Sequence, residues 1–340
     1  THMVVHLADY FKKPESLKAG QPVDDLRGWG VADNKTLWSY EMLVGIKKDI
    51  EAAGLRWEAI ENFDPAHWHD VLLDGPEKDR QMEGLKRTIQ NIGRAGIPIM
   101  GYNFSIAGVA GRLSRPLARG GAEVPGMDGT NDPLITTPLQ KGMVWNMIYD
   151  QDAPDEDLPT ISHNELWERL AWFLERIIPV AEEYKVQMAC HPSDPGIGAG
   201  RTYRGVARVL GMPEGFKKFI ELYDSPYNGL NFCQGCMSEA LENPSAEIFD
   251  VIRYFGERKK IFNVHFRNIK GSLNNFVEVF PDEGDIDMLK ALRVYKEVGY
   301  EYMIMPDHVP GIGGPEPGKV GFAYTYGYIH AALQAVEELS

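Results

Sequence analysis

Short apolar runs recur along this chain at intervals that leave room for one helix between neighbours, and several of them end in a residue able to bind a metal. The runs cover residues 3–7, 56–61, 97–103, 186–191, 229–233, 261–265 and 302–305. Between them, amphipathic stretches predict helices over 37–53, 79–95, 162–184 and 284–299, three of them stopped by Gly54, Gly96 and Gly299. Ser162, followed three residues later by Glu165, carries the signature of a capping box. Strands alternating with helices build a parallel sheet, and 340 residues suit one α/β barrel, so a single (β/α)8 barrel domain over 1–340 is expected. Seven runs are present where eight are needed, and the first begins almost at once. The expectation is therefore a barrel whose first βα unit is absent from this sequence.

The segment 105–161 breaks the repeat. It is rich in Gly and Pro (AGVAGRLSRPLARGGAEVPGMDGTNDP) and acidic towards its end (DQDAPDEDLP), with one apolar, helix-like piece at 142–149. Long segments on a barrel are usually lids or oligomer contacts, and this one is expected to be an inserted lid, with a disordered excursion the alternative for its Gly-rich first half. Its surroundings are acidic: 49 Asp and Glu against 35 Lys and Arg give a net charge of -14. Without a Lys/Arg run to offset that excess, nucleic acid and anionic membrane surfaces are excluded as main partners. No stretch approaches the roughly 20 apolar residues of a membrane span. The three cysteines, Cys190, Cys233 and Cys236, are too few for a disulfide framework and fit a reducing cytoplasm. A homo-oligomer is expected, as for most soluble enzymes.

Four polar residues stand at or just past the ends of successive runs: His191 after QMAC, Cys233 after GLNF, His265 after IFNV and Asp307 after YMIMP. In a parallel barrel the C-terminal strand ends share one mouth, so residues far apart in sequence meet there. A single His near a strand end is more often structural than ligating, and a single Cys is most often a small buried hydrophobe. Four in succession at one edge point instead to a metal site. Two imidazoles, a thiolate and a carboxylate suit Zn²⁺, Fe²⁺ or Co²⁺ ahead of Mg²⁺. Cys236 completes a C-x-x-C with Cys233 and, with no second such pair, reads as structural.

The segments IIPVAEEYKVQMACHPSDP, NFCQG, FGERKKIFNVHFRN, GDIDM and MPDH, with AAGLRWEAIEN and GIPIMGYNF before them, resemble the mannonate dehydratases of the xylose-isomerase-like TIM barrel superfamily. The similarity runs in order through most of the chain. It implies a hydro-lyase of glucuronate catabolism that removes water from D-mannonate to give 2-keto-3-deoxy-D-gluconate. It also implies a divalent metal, Mn²⁺ first, with Fe²⁺, Co²⁺, Zn²⁺ and Mg²⁺ open. On it, His191, Cys233, His265 and Asp307 are metal ligands and His308 is catalytic, with a tyrosine of GFAYTYGY, Tyr324 or Tyr326, taking part.

Such a reaction takes a proton from C2 and expels the C3 hydroxyl. An ion chelated by the substrate carboxylate and 2-hydroxyl would stabilise the enediolate, and an acid and a base are then required. Arg267, two residues past His265, faces the same side of an extended chain and is a candidate clamp for the substrate carboxylate. Asn103 and Glu61 end earlier strands and are candidates for binding sugar hydroxyls, whereas Tyr102 and Trp38 read as core or wall. After YNF the chain departs from the family pattern, keeping only Arg112 of a Pro, Asp-Trp and Arg series, and the RWYG-type opening is absent. Two further readings are a metal-dependent sugar isomerase or epimerase, whose ligand sets are richer in carboxylates, and a catalytically idle barrel that binds sugar acids.

Overall fold

The computed structural model describes residues 1–10, 28–109 and 113–338, so Arg112 lies outside the described residues. Seven parallel strands form one sheet: β1 (His2–Val5), β2 (Arg56–Glu61), β3 (Ile99–Tyr102), β4 (Gln187–Cys190), β5 (Asn228–Cys233), β6 (Ile261–His265) and β7 (Ile304–Met305). These are the seven runs read from the sequence, with bounds that differ by at most two residues. Each strand pairs with its neighbour in chain order. Strands β5 and β6 are buried throughout, which is why parallel strands covered on both faces read as unbroken apolar runs.

The sheet curls into a barrel. Gln187 at the start of β4 donates to the Tyr302 hydroxyl just before β7 at 2.9 Å, and Glu61 on β2 lies 3.1 Å from Asn231 on β5. Side chains of non-adjacent strands meet this way only around a closed interior. Among the described residues no ladder joins β7 to β1, and these remain the edges of the sheet.

Helices cover the outside. His163–Tyr184 begins with the expected capping box: Ser162 Oγ accepts the Glu165 N–H at 3.3 Å, and Glu165 accepts the Ser162 N–H at 2.8 Å. Halfway along it, Phe173 packs against Tyr102, Phe104 and Trp68, with ring centroids 5.3, 5.5 and 5.8 Å away. Tyr102 and Trp38 are core residues, as expected. Three helices that the hydrophobic pattern left unread, Pro65–Leu73, Pro213–Leu222 and Pro244–Glu257, each open on a proline, whose missing N–H costs nothing in a first turn.

Two small sheets organise the segment 105–161. Its strands Leu113–Ala118 and Ala122–Asp128 form an antiparallel pair that continues onto Asn275–Val279 and Asn268–Ser272, the hairpin that follows β6. The helix expected at 142–149 is instead a tight hairpin of Met143–Val144 and Met147–Ile148. Apolar residues at 143, 144, 147 and 148 satisfy helical spacing as well as a hairpin, and the turn decides: Trp145 and Asn146 have φ of 49° and 59°. Two successive left-handed residues are the geometry that two-residue hairpins favour. A cavity of about 330 Å³ opens on the four-stranded sheet, between Arg115, Met127, Lys270 and Phe276. No helix among the described residues is long and apolar enough to cross a membrane.

Candidate metal centre

The C-terminal ends of β4 to β7 bring the four expected ligands together. His191 follows β4 with its backbone N–H on Tyr102 O at 2.8 Å; Cys233 and His265 are the last residues of β5 and β6; Asp307 stands two residues past β7. One donor atom from each lies within 4.8 Å of all the others. Donors held about 2.0–2.3 Å from one tetrahedral ion are roughly 3.3–3.8 Å apart, so a small inward movement completes the shell.

The hydrogen bonds around the two imidazoles leave one nitrogen of each for an ion. His191 Nδ1 donates to Pro192 O at 2.7 Å, which leaves Nε2 as the available lone pair. His265 Nε2 faces Glu61 Oε1 at 3.3 Å, and Asn231 Nδ2 donates to the same oxygen at 3.1 Å. His265 Nδ1 is then left buried without an aligned hydrogen-bond partner, 3.3 Å from Asp307 Oδ2. A carboxylate behind a ligating His fixes its tautomer and raises its basicity. Glu61, expected to meet a sugar hydroxyl, has its oxygen on His265.

Electrostatics favour the ligating state of the thiol and the carboxylate, whereas the imidazoles, which burial pushes down, are raised by Cys233 beside His191 and by Glu61 and Asp307 beside His265, so an ion would displace protons from them. Burial pushes the Cys233 thiol up, but the Cys236 thiol, the Arg267 charge and both imidazoles hold it well below its ordinary value. Burial likewise opposes ionisation of Asp307, and His308, His265 and Arg267 overcome it.

Arg267 is 4% exposed and sits beneath the ligands. Its Nη2 donates to Cys233 Sγ at 3.0 Å and Cys236 Sγ at 2.9 Å, its Nε lies 3.2 Å from Asp307, and its Nη1 lies 2.6 Å from Glu278. Asp194 and Glu239 are each 3.4 Å away. The guanidinium lies against Gly235, where a Cβ would come within 2.8 Å of Cζ, so only glycine fits there. Two further groupings, Asp194 with Glu278 and His308, and Asp194 with Cys236 and Glu239, also resemble ligand sets. The Arg267 guanidinium already supplies a cation to both. Burial and the Asp194 charge push the Glu239 carboxyl well above its usual range, which keeps it neutral.

His308 stands beside Asp307, partly exposed, with Nδ1 at 3.0 and 3.1 Å from the two Glu278 oxygens and Nε2 at 3.7 Å from Asp307. Arg267 Nη1 is also 3.3 Å from Nδ1. Glu278 accepts from both, so the proton sits on Nδ1 and Nε2 faces the ligand set. Asn103 follows β3 and lines a void of about 10 Å³ with Tyr10, Asn62 and Trp145, its Oδ1 buried and without a hydrogen-bond partner among the described residues. Tyr324 and Tyr326 are not brought to the cluster. They are 36% and 53% exposed on helix Pro317–Glu338, where the Tyr324 hydroxyl donates to Asp282 at 2.8 Å and accepts from Arg119 at 3.3 Å. The sequence reading missed Glu278, Asn231, Asp194 and Glu239. Only Asp194 carried a signal, as part of HPSDP beside His191.

Comparison with known proteins places this chain in a family. The model of the D-mannonate dehydratase (UxuA) family matches residues 29–339. A mannonate dehydratase of Thermotoga maritima is 32% identical over 324 residues, covering 89% of this chain and 88% of its own. One of Streptococcus suis is 30% identical over 313 residues, covering 88% and 80%. The crystal structure of mannonate dehydratase from Streptococcus suis serotype 2 superposes with a TM-score of 0.71 at 27% identity, covering 93% of this chain and 85% of that one. A xylose isomerase domain protein from Planctomyces limnophilus, at TM-score 0.52 and 13% identity, shares the barrel alone. The match through nearly the whole length means that the chain belongs to the D-mannonate dehydratase family.

Proposed function

We infer that this protein is a divalent-metal-dependent hydro-lyase that converts D-mannonate to 2-keto-3-deoxy-D-gluconate and water. The observation that carries this is the convergence of His191, Cys233, His265 and Asp307 at one barrel mouth with His308 beside them, in a chain of this family. A bound ion, Mn²⁺ on this reading, supplies Lewis-acid polarisation of the substrate carboxylate and so acidifies C2. The residues do the rest. Glu61 holds His265 in the ligating tautomer. Arg267 balances the charge of Cys233, Asp307 and Glu278, and its short contacts to these groups support that role over an open carboxylate clamp. His308 exchanges a proton through Nε2 with C2 or with the departing C3 hydroxyl, and Glu278 carries the charge that develops on its ring. Asn103 offers an unpaired Oδ1 to a hydroxyl of the sugar chain.

On family resemblance the opposite proton transfer would fall to Tyr324 or Tyr326, neither of which this structure brings to the cluster, and Tyr→Phe at each position tests it separately. The segment 105–161 is assigned as a lid joined through its sheet to the Glu278 strand. A homo-oligomer in the cytoplasm fits three free cysteines and the exposed Val320, Tyr324, Tyr326 and Leu333 of the last helix. The deciding experiment incubates metal-loaded protein with D-mannonate and measures the 2-keto-3-deoxy acid. Product with Mn²⁺ is expected; no product with Mn²⁺, Mg²⁺, Fe²⁺ or Co²⁺ overturns the reading.

A further inference from the structure

Metal binding uses only one sulfur of the C-x-x-C at the end of β5. The other, Cys236, is just as buried, and its backbone N–H reaches the Cys233 sulfur at 3.3 Å. One nitrogen, Arg267 Nη2, touches both sulfurs, at 3.0 Å and 2.9 Å. Residues three apart across the start of a helical turn have Cα atoms about 5–6 Å apart, within the span a disulfide closes. The two groups are also matched in chemistry. A thiolate at one position is the nucleophile, and the sulfur of the other stands beside it to resolve the product. The third cysteine differs: Cys190 is buried on β4 and its sulfur faces His191 O at 3.9 Å.

We propose that Cys233 and Cys236 form a reversible disulfide when the protein meets a hydroperoxide, and that this bond removes Cys233 from the metal site. The Cys233 thiolate attacks one peroxide oxygen and the O–O bond breaks. Sulfur is oxidised to a sulfenic acid, and the hydroxide that leaves takes a proton from solvent to become water. The Cys236 sulfur then attacks the sulfenic sulfur, the S–O bond breaks, and the hydroxide leaves with the Cys236 proton as a second water. In sum, two cysteine sulfurs give up two electrons and one hydroperoxide is reduced. Without Cys236 the sulfenic acid has no thiol beside it and proceeds to the irreversible sulfinic acid. Reduction of the disulfide by a small dithiol restores the ligand set.

The consequence for catalysis rests on Cys233 being a metal ligand; formation of the bond does not, and mass reads it whatever the protein's activity. Metal-loaded and metal-stripped protein are treated with hydrogen peroxide, denatured, and their remaining thiols alkylated. The expected product is a peptide holding both cysteines that is about 2 Da lighter, with Cys190 alkylated. It should form faster in the stripped protein, and elemental analysis should show metal lost in parallel and regained after dithiothreitol and fresh ion. In Cys236→Ser, which keeps a donor towards Cys233, peroxide should add about 32 Da at Cys233 and dithiothreitol should not restore metal binding. If Cys236→Ser does not give a native circular dichroism spectrum, Cys236→Ala is used in its place. Three alkylated cysteines in treated wild type, a disulfide between chains, a product at Cys190, or full recovery of the Cys236 variant each overturn the proposal.

Discussion

Glu61 reaches His265 across the barrel, and the charge it spends there is not available to a sugar. Glu61→Gln keeps the shape and removes the charge behind the imidazole, so metal affinity should fall about 10- to 100-fold in a chelator competition. Unchanged affinity would return Glu61 to the substrate. Glu278 stands in the same relation to His308. Glu278→Gln should lower kcat by roughly 100-fold or more with KM and metal content little changed, because it alters the proton carrier and not the binding of substrate. Arg267→Met leaves Glu278 buried without the cation 2.6 Å from it, a loss of about 3–5 kcal/mol seen in denaturant unfolding. At this scale the four candidate ligands were legible as a group because each stands at or just past a strand end that the apolar pattern marks. Glu278 and Asn231 were not, because nothing beside them in the chain differs from an ordinary strand residue.

Between residues and the whole lie the added elements. The hairpin Leu113–Asp128 is pinned to the segment after Asn275–Val279 by Arg119, whose guanidinium holds Asp282 at 2.8 Å. That hydrogen bond keeps the Asp282 carboxyl below its ordinary value, against its slight burial. A folded-state pKa below the unfolded one stabilises at pH values above about 4, and the gain is lost as pH falls through the folded value. The pair is largely exposed, so it contributes at most about 1 kcal/mol. Wild type and Arg119→Ala should accordingly differ in Tm at pH 7 and converge as pH falls through the folded value; a difference that persists in acid would mean the arginine acts through packing on Phe280. Capping signals in this chain were easy to read, as Ser162 and Glu165 show. The hairpin at Trp145 and Asn146 was not, because its apolar spacing also suits a helix and its backbone is held from outside by a bond from Trp145 N–H to Ile106 O at 2.7 Å.

For the molecule as one body, the core and the metal should be separable. Phe173→Ala removes the ring that ties helix His163–Tyr184 to β3 and should cost about 3–5 kcal/mol, while folded protein still binds one ion per chain. Stripping the metal should lower Tm in turn, since an ion at 100 times its Kd stabilises the native state by about 2.7 kcal/mol. If Phe173→Ala folds but fails to bind the ion, the centre depends on the core more closely than the contacts indicate. What the sequence by itself determined was the series of strands, the capped helices between them and the order in which ligands arrive, since each is recorded in residues a few positions apart. Only the tertiary structure decided which groups face one another. Glu61 and Asn231 meet across 170 positions, Arg267 lies between two sulfurs and several carboxylates, and Tyr324 points outward. Those pairings follow from the curl of the sheet and the docking of a hairpin inserted elsewhere, and no local pattern of residues records either.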